Sequence, residues 1–437
     1  MRSSSIQNMT DLFSTFFGAL NESGIPYGIT GRTELFPHTI HSDVDIVIPS
    51  DQFKAFWAFM RDLQEKQVDW IQVISHESAA HFCIVSLSDK PNHRLLKPDV
   101  CADYYREGTL FLKADYLLTD RVFNPKGFFQ LAPDREFIYY VLKKIDKGTI
   151  EPEHFKHLRD QWNRDPEGCL KATSSFFTKE GLTIIGDAFE NNDDALLIHH
   201  IPSLQKNLHQ HLRFRIHDRV LRLVNRVSRV VNPTGLVVAF MGPDGCGKTT
   251  IIDGVNAHLT EVFRHNKQFH LFPRERKAAA PTTAPHAEKK RGAMSSVLKL
   301  FYYLGLYVVG YWGKVYPLRV RSTLVIFDRY FHDLMVDPDR YRYGAGNAWL
   351  KLVGAFIPKP DLWILLDAPS DVIQGRKAEV PEEETARQVS AYRTLFSRLK
   401  NAHVVNANQP PELVTFDVES IIVQHLKQRT ANRYKNA

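Results

Sequence analysis

Eight consecutive residues constrain this chain more than any others: Gly242-Pro243-Asp244-Gly245-Cys246-Gly247-Lys248-Thr249. They fit G-x-x-x-x-G-K-[ST], follow an apolar run at 236–241, and precede a helical pattern that starts near Thr250. A strand, a glycine-rich loop and a helix in that order make a phosphate cradle. Gly242, Gly245 and Gly247 let the backbone N–H groups of the loop, from Asp244 and Cys246 through Thr250, close around an anion at a helix N-terminus. Lys248 is expected to reach the β- and γ-phosphates and Thr249 to offer its hydroxyl to Mg²⁺. The expected fold around this P-loop is α/β, a mostly parallel sheet flanked by helices, with ATP and Mg²⁺ as ligands.

Length asks for more than this one unit. At 437 residues the chain suggests two or three domains, and an ordinary composition (43% hydrophobic, 24% charged) excludes collagen-like, disordered and multi-span membrane classes. Apolar positions Leu12, Phe13, Phe16, Phe17 and Leu20 predict a first helix. Strands are expected at 27–30, at 41–49 and then near 68–74, 81–87 and 94–100, with a helix over 51–66; residues 134–231 read as mostly helical. Within that stretch Arg215, Arg219, Arg222, Arg226 and Arg229 form one stripe of a helix and Leu212, Ile216, Val220, Leu223, Val227 and Val230 another, which reads as a solvated face or a docking face. Asn232-Pro233-Thr234-Gly235 ends it. The expected division is 1–190, 191–232 as an Arg-rich linker helix, and 233–437. An Ala/Pro/Thr-rich stretch at 278–292 reads as a loop. The apolar run 300–313 is too short to span a bilayer and is expected to be a buried helix.

Downstream of the P-loop, one strand ends in Asp328-Arg329-Tyr330 and a second, 360–367, ends in Asp367; Arg376-Lys377 and an acidic helical segment follow. This order, with G-x-D-G-x-G-K-[ST] and the DRY motif, resembles the thymidylate kinase family over about 233–437. The resemblance implies phosphoryl transfer from ATP, with Lys248 and Thr249 on the phosphates and Mg²⁺ and Asp244 facing the acceptor sugar. It places Asp328 near acceptor phosphate and metal, Arg329 on the transferring group, and Arg376 in a lid over ATP. Asp367 is expected to cap the turn that follows it. After DRY the chain departs from the family: Asp333 stands where a Ser is usual, and Asp337, Asp339, Arg340, Tyr341 and Arg342 replace an Ala-Tyr-Gln run. In this the segment looks like kinase-like proteins associated with surface polysaccharide loci.

A second constellation lies near the start. Gly31-Arg32, then Asp43-Val44-Asp45-Ile46, resembles the nucleotidyltransferase superfamily over about 20–120, a small mixed-sheet α+β domain with a helical appendage to about 190. Alternation along a strand puts Asp43 and Asp45 on one face, about 7 Å apart, where they are expected to ligate Mg²⁺. Asp99 is the expected third acid, with Asp103 as the alternative.

The four cysteines show no paired spacing and read as reduced thiols, and scattered histidines such as His38, His41, His199 and His200 make no metal-binding pair. The formal charge of +7 is concentrated at 264–291, with eight Lys/Arg against two acids, and at 213–229, with six Arg against one acid. That favours anionic partners. The combined expectation is a cytoplasmic, ATP- and Mg²⁺-dependent phosphotransferase without a transmembrane span. Its acceptor would be a nucleoside monophosphate or a sugar-bearing molecule, including a glycan, and a homodimer is left open. The alternative is a nucleotide-sensing or nucleic-acid- or glycan-binding protein without turnover.

Overall fold

The computed structural model describes residues 2–435 except 41–42, 78–79, 88–94, 107–108, 212–215, 275–289 and 378–379. His41, Leu212, Arg215 and most of the 278–292 stretch therefore lie outside the described residues, as do the side chains of Ile216, Arg219, Val220 and Arg222. The chain divides into two units, Met1–Ser228 with Leu426–Ala437, and Arg229–His425.

The first unit is built on a seven-stranded mixed sheet. Its order is Val68–Glu77, Ala80–Leu87, Pro98–Cys101, Val44–Val47, Gly28–Ile29, Phe128–Gln130 and Val122–Asn124. Alternation decides what each face of Val44–Val47 meets. Val44 and Ile46 join a core with Phe13, Phe16 and Phe17 of the first helix, Arg2–Glu22, and with Phe56 and Met60 of helix Phe53–Asp62. Val47 joins a separate core with Phe137, Leu142, Trp162 and Phe189, contributed by the helices after residue 132. Three of these helices, Pro133–Lys147, Pro152–Arg164 and Pro166–Thr173, open on proline, whose missing N–H costs nothing at a first turn. Gly148, at φ 75°, closes the first of them. The strands at 104–106, 109–112, 122–124 and 128–130 were not expected, being three or four residues long and without clean alternation.

In the second unit five parallel strands run in the order His265–His270, Thr323–Asp328, Leu236–Met241, Leu362–Asp367 and Ala402–Asn406. The strand that comes first in the chain is central, with its neighbours entering from opposite sides; such a reversal of strand order opens a crevice at the carboxyl ends. This is the α/β arrangement expected from the P-loop. The edge strand His265–His270 carried little apolar signal and is exposed at all but one position.

Helix Ala293–Gly310 overturns the expectation of a buried helix. Ser296, Leu300, Tyr303 and Tyr307 line its buried face, while Met294, Leu298, Phe301, Val309 and, just beyond it, Trp312 are exposed on the other. Only 22% of its most apolar window is buried, and by length and composition alone Ala293–Val320 is the one such candidate for a membrane span among the described residues. One helix can bury only the stripe that meets the sheet, so a run apolar all round leaves the opposite stripe outside.

Candidate functional site

The central strand Leu236–Met241 is buried at all six positions and delivers the chain to the P-loop. Gly242, Gly245 and Gly247 take φ values of 143°, 86° and 96°. A Cβ on Gly242 would lie 2.8 Å from Cys246 Sγ and 2.9 Å from the Leu366 carbonyl oxygen, so no side chain fits there. Gly247 instead faces open space, the side from which a phosphate can approach. The helix begins at Lys248, two residues before the expected start. Lys248 is buried, and its Nζ donates to the carbonyls of Gly242 at 2.8 Å and Pro243 at 2.7 Å. Thr249 and Thr250 are exposed on the first turn.

Strand Thr323–Asp328 runs beside the central strand with Asp328 opposite Phe240. Asp328 Oδ1 is buried without a hydrogen-bond partner, an arrangement that costs free energy until a ligand or water arrives. Arg329 takes a left-handed backbone, φ 69°, with its N–H donating to the Phe240 carbonyl at 2.9 Å. Non-glycine residues hold such a conformation where surrounding structure imposes it, which is common at functional sites.

Arg329 is the centre of a charged network. It pairs with P-loop Asp244 through Nη2 and with Asp333 through Nη1 at 2.8 Å. Arg340 pairs with the other oxygen of Asp244. Asp333 is fully buried and also accepts from Tyr341 Oη at 2.6 Å and from Tyr392 Oη. Burial opposes the Asp333 carboxylate, but Arg329 and the two phenols more than offset it and hold the group below its ordinary pKa. Asp333 and Arg340 thus occupy the segment that departs from the family pattern. Tyr392, on helix Glu382–Phe396, gave no local signal, because only folding brings it to Asp333.

Arg376 is exposed at the end of helix Ser370–Arg376 and donates to the Ala407 carbonyl at 3.0 Å. Asp367 does not cap the turn: Arg393 grips both of its oxygens, at 2.9 and 2.8 Å, since the strand end points its carboxylate at the helix instead.

In the first unit the parallel register sets Asp45 directly opposite Asp99. Asp103 is engaged elsewhere, accepting the Ala114 N–H at 2.9 Å. Asp43, Asp45 and Asp99 do not gather as metal ligands, for no group of three His, Cys, Asp or Glu that could hold a metal occurs among the described residues. Instead Lys143 Nζ meets Asp45 Oδ2 at 3.2 Å, supplying in covalent form the charge a cation would bring. Burial pushes the Asp45 carboxyl up, Lys143 works against that, and Asp99 adds to it. Gly31, at φ 98°, donates its N–H to Glu136 Oε1 at 2.7 Å, and Arg32 turns out to pair with exposed Glu153. None of the four cysteines forms a disulfide.

Residues 240–418 match the family model described as Thymidylate kinase. The chain is 29% identical over 212 residues to a thymidylate kinase of Xanthomonas oryzae pv. oryzae (strain PXO99A), covering 46% of this chain and 88% of that protein. To the thymidylate kinase of Xanthomonas campestris pv. campestris (strain B100) it is 26% identical over the same coverage. To the probable thymidylate kinase 1 of Saccharolobus solfataricus it is 25% identical over 206 residues, 44% of this chain and 98% of that one. The C-terminal half thus carries a thymidylate kinase domain, the family model matching from residue 240 to residue 418.

Proposed function

We propose that the second unit is a cytoplasmic phosphotransferase that moves the γ-phosphoryl group of ATP onto an acceptor, a nucleoside monophosphate or a sugar-bearing molecule. The observation that carries this reading is the convergence of Arg329 and Arg340 on Asp244 at the mouth of the P-loop. Loop amides bind the ATP phosphates, and Lys248, held by loop carbonyls in this structure, swings to the β- and γ-oxygens. The Thr249 hydroxyl and Asp328, with its unpartnered buried oxygen, suit Mg²⁺. Bound there, the ion supplies neutralisation of phosphate charge. An acceptor oxygen bonds to the γ-phosphorus as the bond to ADP breaks; Arg329 and Arg340 stabilise the equatorial oxygens, and Arg376 covers the nucleotide. Asp244 orients the acceptor once anions compete for its two arginines.

The test is ATP consumption with Mg²⁺ across thymidylate, other nucleoside monophosphates, sugars and glycans. Lys248→Ala is expected to lose roughly 100-fold or more in turnover, the scale of losing one preorganised charge at a transferring phosphoryl group. Turnover on thymidylate alone would make the domain a thymidylate kinase despite its altered segment. ATP binding without turnover on any acceptor would move the protein to the regulatory reading.

The placement of Asp45 opposite Asp99 supports a second reading, a nucleotidyl-transfer site in the first unit. Pyrophosphate release that vanishes in Asp45→Asn while kinase turnover persists would establish it. No release in the wild type would overturn this second reading.

A further inference from the structure

Helix Pro152–Arg164 divides its residues between two faces. Phe155, Leu158 and Trp162 enter a core of the first unit, while His157, Gln161 and Arg164 recur at steps of four and three and so share another face. That second face meets the turn at Gly31 and the start of helix Pro133–Lys147, which supplies Glu136. Glu136 Oε1 accepts the Gly31 N–H at 2.7 Å and lies 2.8 Å from His157 Nε2.

Between these elements the first unit holds a pocket of about 190 Å³, room for several waters, whose open surface is almost wholly polar. Three of its polar side chains are buried: Glu136, His157 and Gln161 are 5, 3 and 7% exposed. The Gln161 amide makes no hydrogen bond among the described residues. Glu136 Oε2 and His157 Nδ1 are also buried without hydrogen-bond partners. A buried amide costs free energy until water or a ligand pairs with it, so Gln161 marks the pocket as a place built to be filled. Glu34, Lys126 and Arg164 line the same pocket from exposed positions. Lys126 Nζ donates to the Glu34 carbonyl, while Arg164 makes no ion pair among the described residues.

Charge and shape together narrow the occupant. An anion would be set against Glu34 and Glu136, and an ammonium group against Lys126 and Arg164. No Phe, Tyr or Trp lines the pocket, so a nucleobase finds no face to stack on. A hydroxyl group is both donor and acceptor, and only a ligand rich in such groups can serve the carboxylates, the amide and the guanidinium together. It also reproduces the hydrogen bonds of the waters it displaces.

We propose that this pocket binds a single uncharged sugar ring, with Gln161 and Arg164 donating to its hydroxyls and the Glu34 carboxylate accepting from them. The site belongs to the first unit, and none of these three side chains takes part in either catalytic reading above.

Glucose, galactose, mannose and N-acetylglucosamine are titrated separately into the full-length protein and followed by saturation-transfer NMR. The titrations are repeated with Gln161→Leu, with Arg164→Met, and with Lys156→Gln as a control, an exposed cation of the same helix outside the pocket. At least one sugar is expected to bind, with its Kd rising about tenfold in Gln161→Leu or Arg164→Met and unchanged in the control. Binding of no sugar overturns the proposal, and so does a sugar whose Kd changes less than about threefold in both pocket variants, which would place it elsewhere on the chain. Inorganic phosphate and methylamine are titrated in parallel: if either binds with the expected loss in the pocket variants while no sugar does, the pocket reads charge and the proposal falls. Arg164 is exposed, so Arg164→Met decides alone should Gln161→Leu fail to fold.

Discussion

Single side chains in this protein are placed by what burial forces them to find. His157 is 3% exposed, with Nε2 at 2.8 Å from Glu136 Oε1 and Nδ1 at 3.9 Å from Glu34. Burial works against the charged ring, but the bond to Glu136 and the nearby Glu34 carboxylate more than offset it and raise its pKa to about 9. A raised histidine stabilises the fold fully below its unfolded pKa, about 6.5, and loses that contribution as pH rises through the folded value. The first unit is therefore expected to be on the order of 2–3 kcal/mol more stable at pH 6 than at pH 10 through this residue. Urea melts of wild type and His157→Gln check it. A variant whose stability falls with pH just as steeply would show that His157 does not carry the effect. Asp333 follows the same logic in the second unit: the sequence sets it where the resembling family has a Ser, and the buried Arg329 it pairs with explains why an acid stands there.

Elements show where pattern and packing part. Strands 236–241, 323–328 and 362–367 were legible because central parallel strands are apolar along their whole length. The edges at 265–270 and 402–406 were not, since an edge strand can be polar and still pair. Helix Ala293–Gly310 carries the converse case, an apolar stripe that nothing among the described residues covers. Phe301 meets Trp349 of helix Asn347–Phe356 at 6.2 Å, so the exposed stripe continues onto a second helix, where Leu352 and Phe356 are also exposed. Leu298→Glu with Val309→Glu is expected to move stability by less than about 1 kcal/mol, because exposed sites carry little packing energy. The same pair is expected to suppress concentration-dependent self-association in sedimentation. A large loss of stability would mean that the stripe is packed within the monomer.

At the scale of the molecule, the chain's last residues belong with its first. Helix Pro411–Arg433 begins in the second unit, yet Leu426–Ala437 groups with Met1–Ser228. There Tyr434 lies 4.8 Å from Trp57 and 5.3 Å from Trp70, centroid to centroid. Lys427 pairs with Asp69 at 2.8 Å, and Thr430 Oγ1 donates to the Ile71 carbonyl at 2.9 Å. Removing residues 426–437 is expected to destabilise the first unit by roughly 3–5 kcal/mol, the scale of deleting a buried aromatic together with a buried pair. Separate melting of the two units by calorimetry checks it: a first transition unmoved by the deletion would show the segment to be dispensable.

By itself the sequence determined the P-loop, its strand and helix, the central strands and the DRY turn, because each is a local pattern whose chemistry depends on residues adjacent in the chain. It also placed Asp45 on a strand, which in the structure begins at Val44. Tertiary structure alone decided that Asp99 lies opposite Asp45 and that Lys143, rather than a ring of three acids, answers Asp45's charge. The same holds for Tyr392 reaching Asp333, Arg340 reaching Asp244, and the Gly344 N–H reaching Ser296 Oγ. Those contacts join residues tens of positions apart, and no periodicity records which distant groups a closing fold will press together.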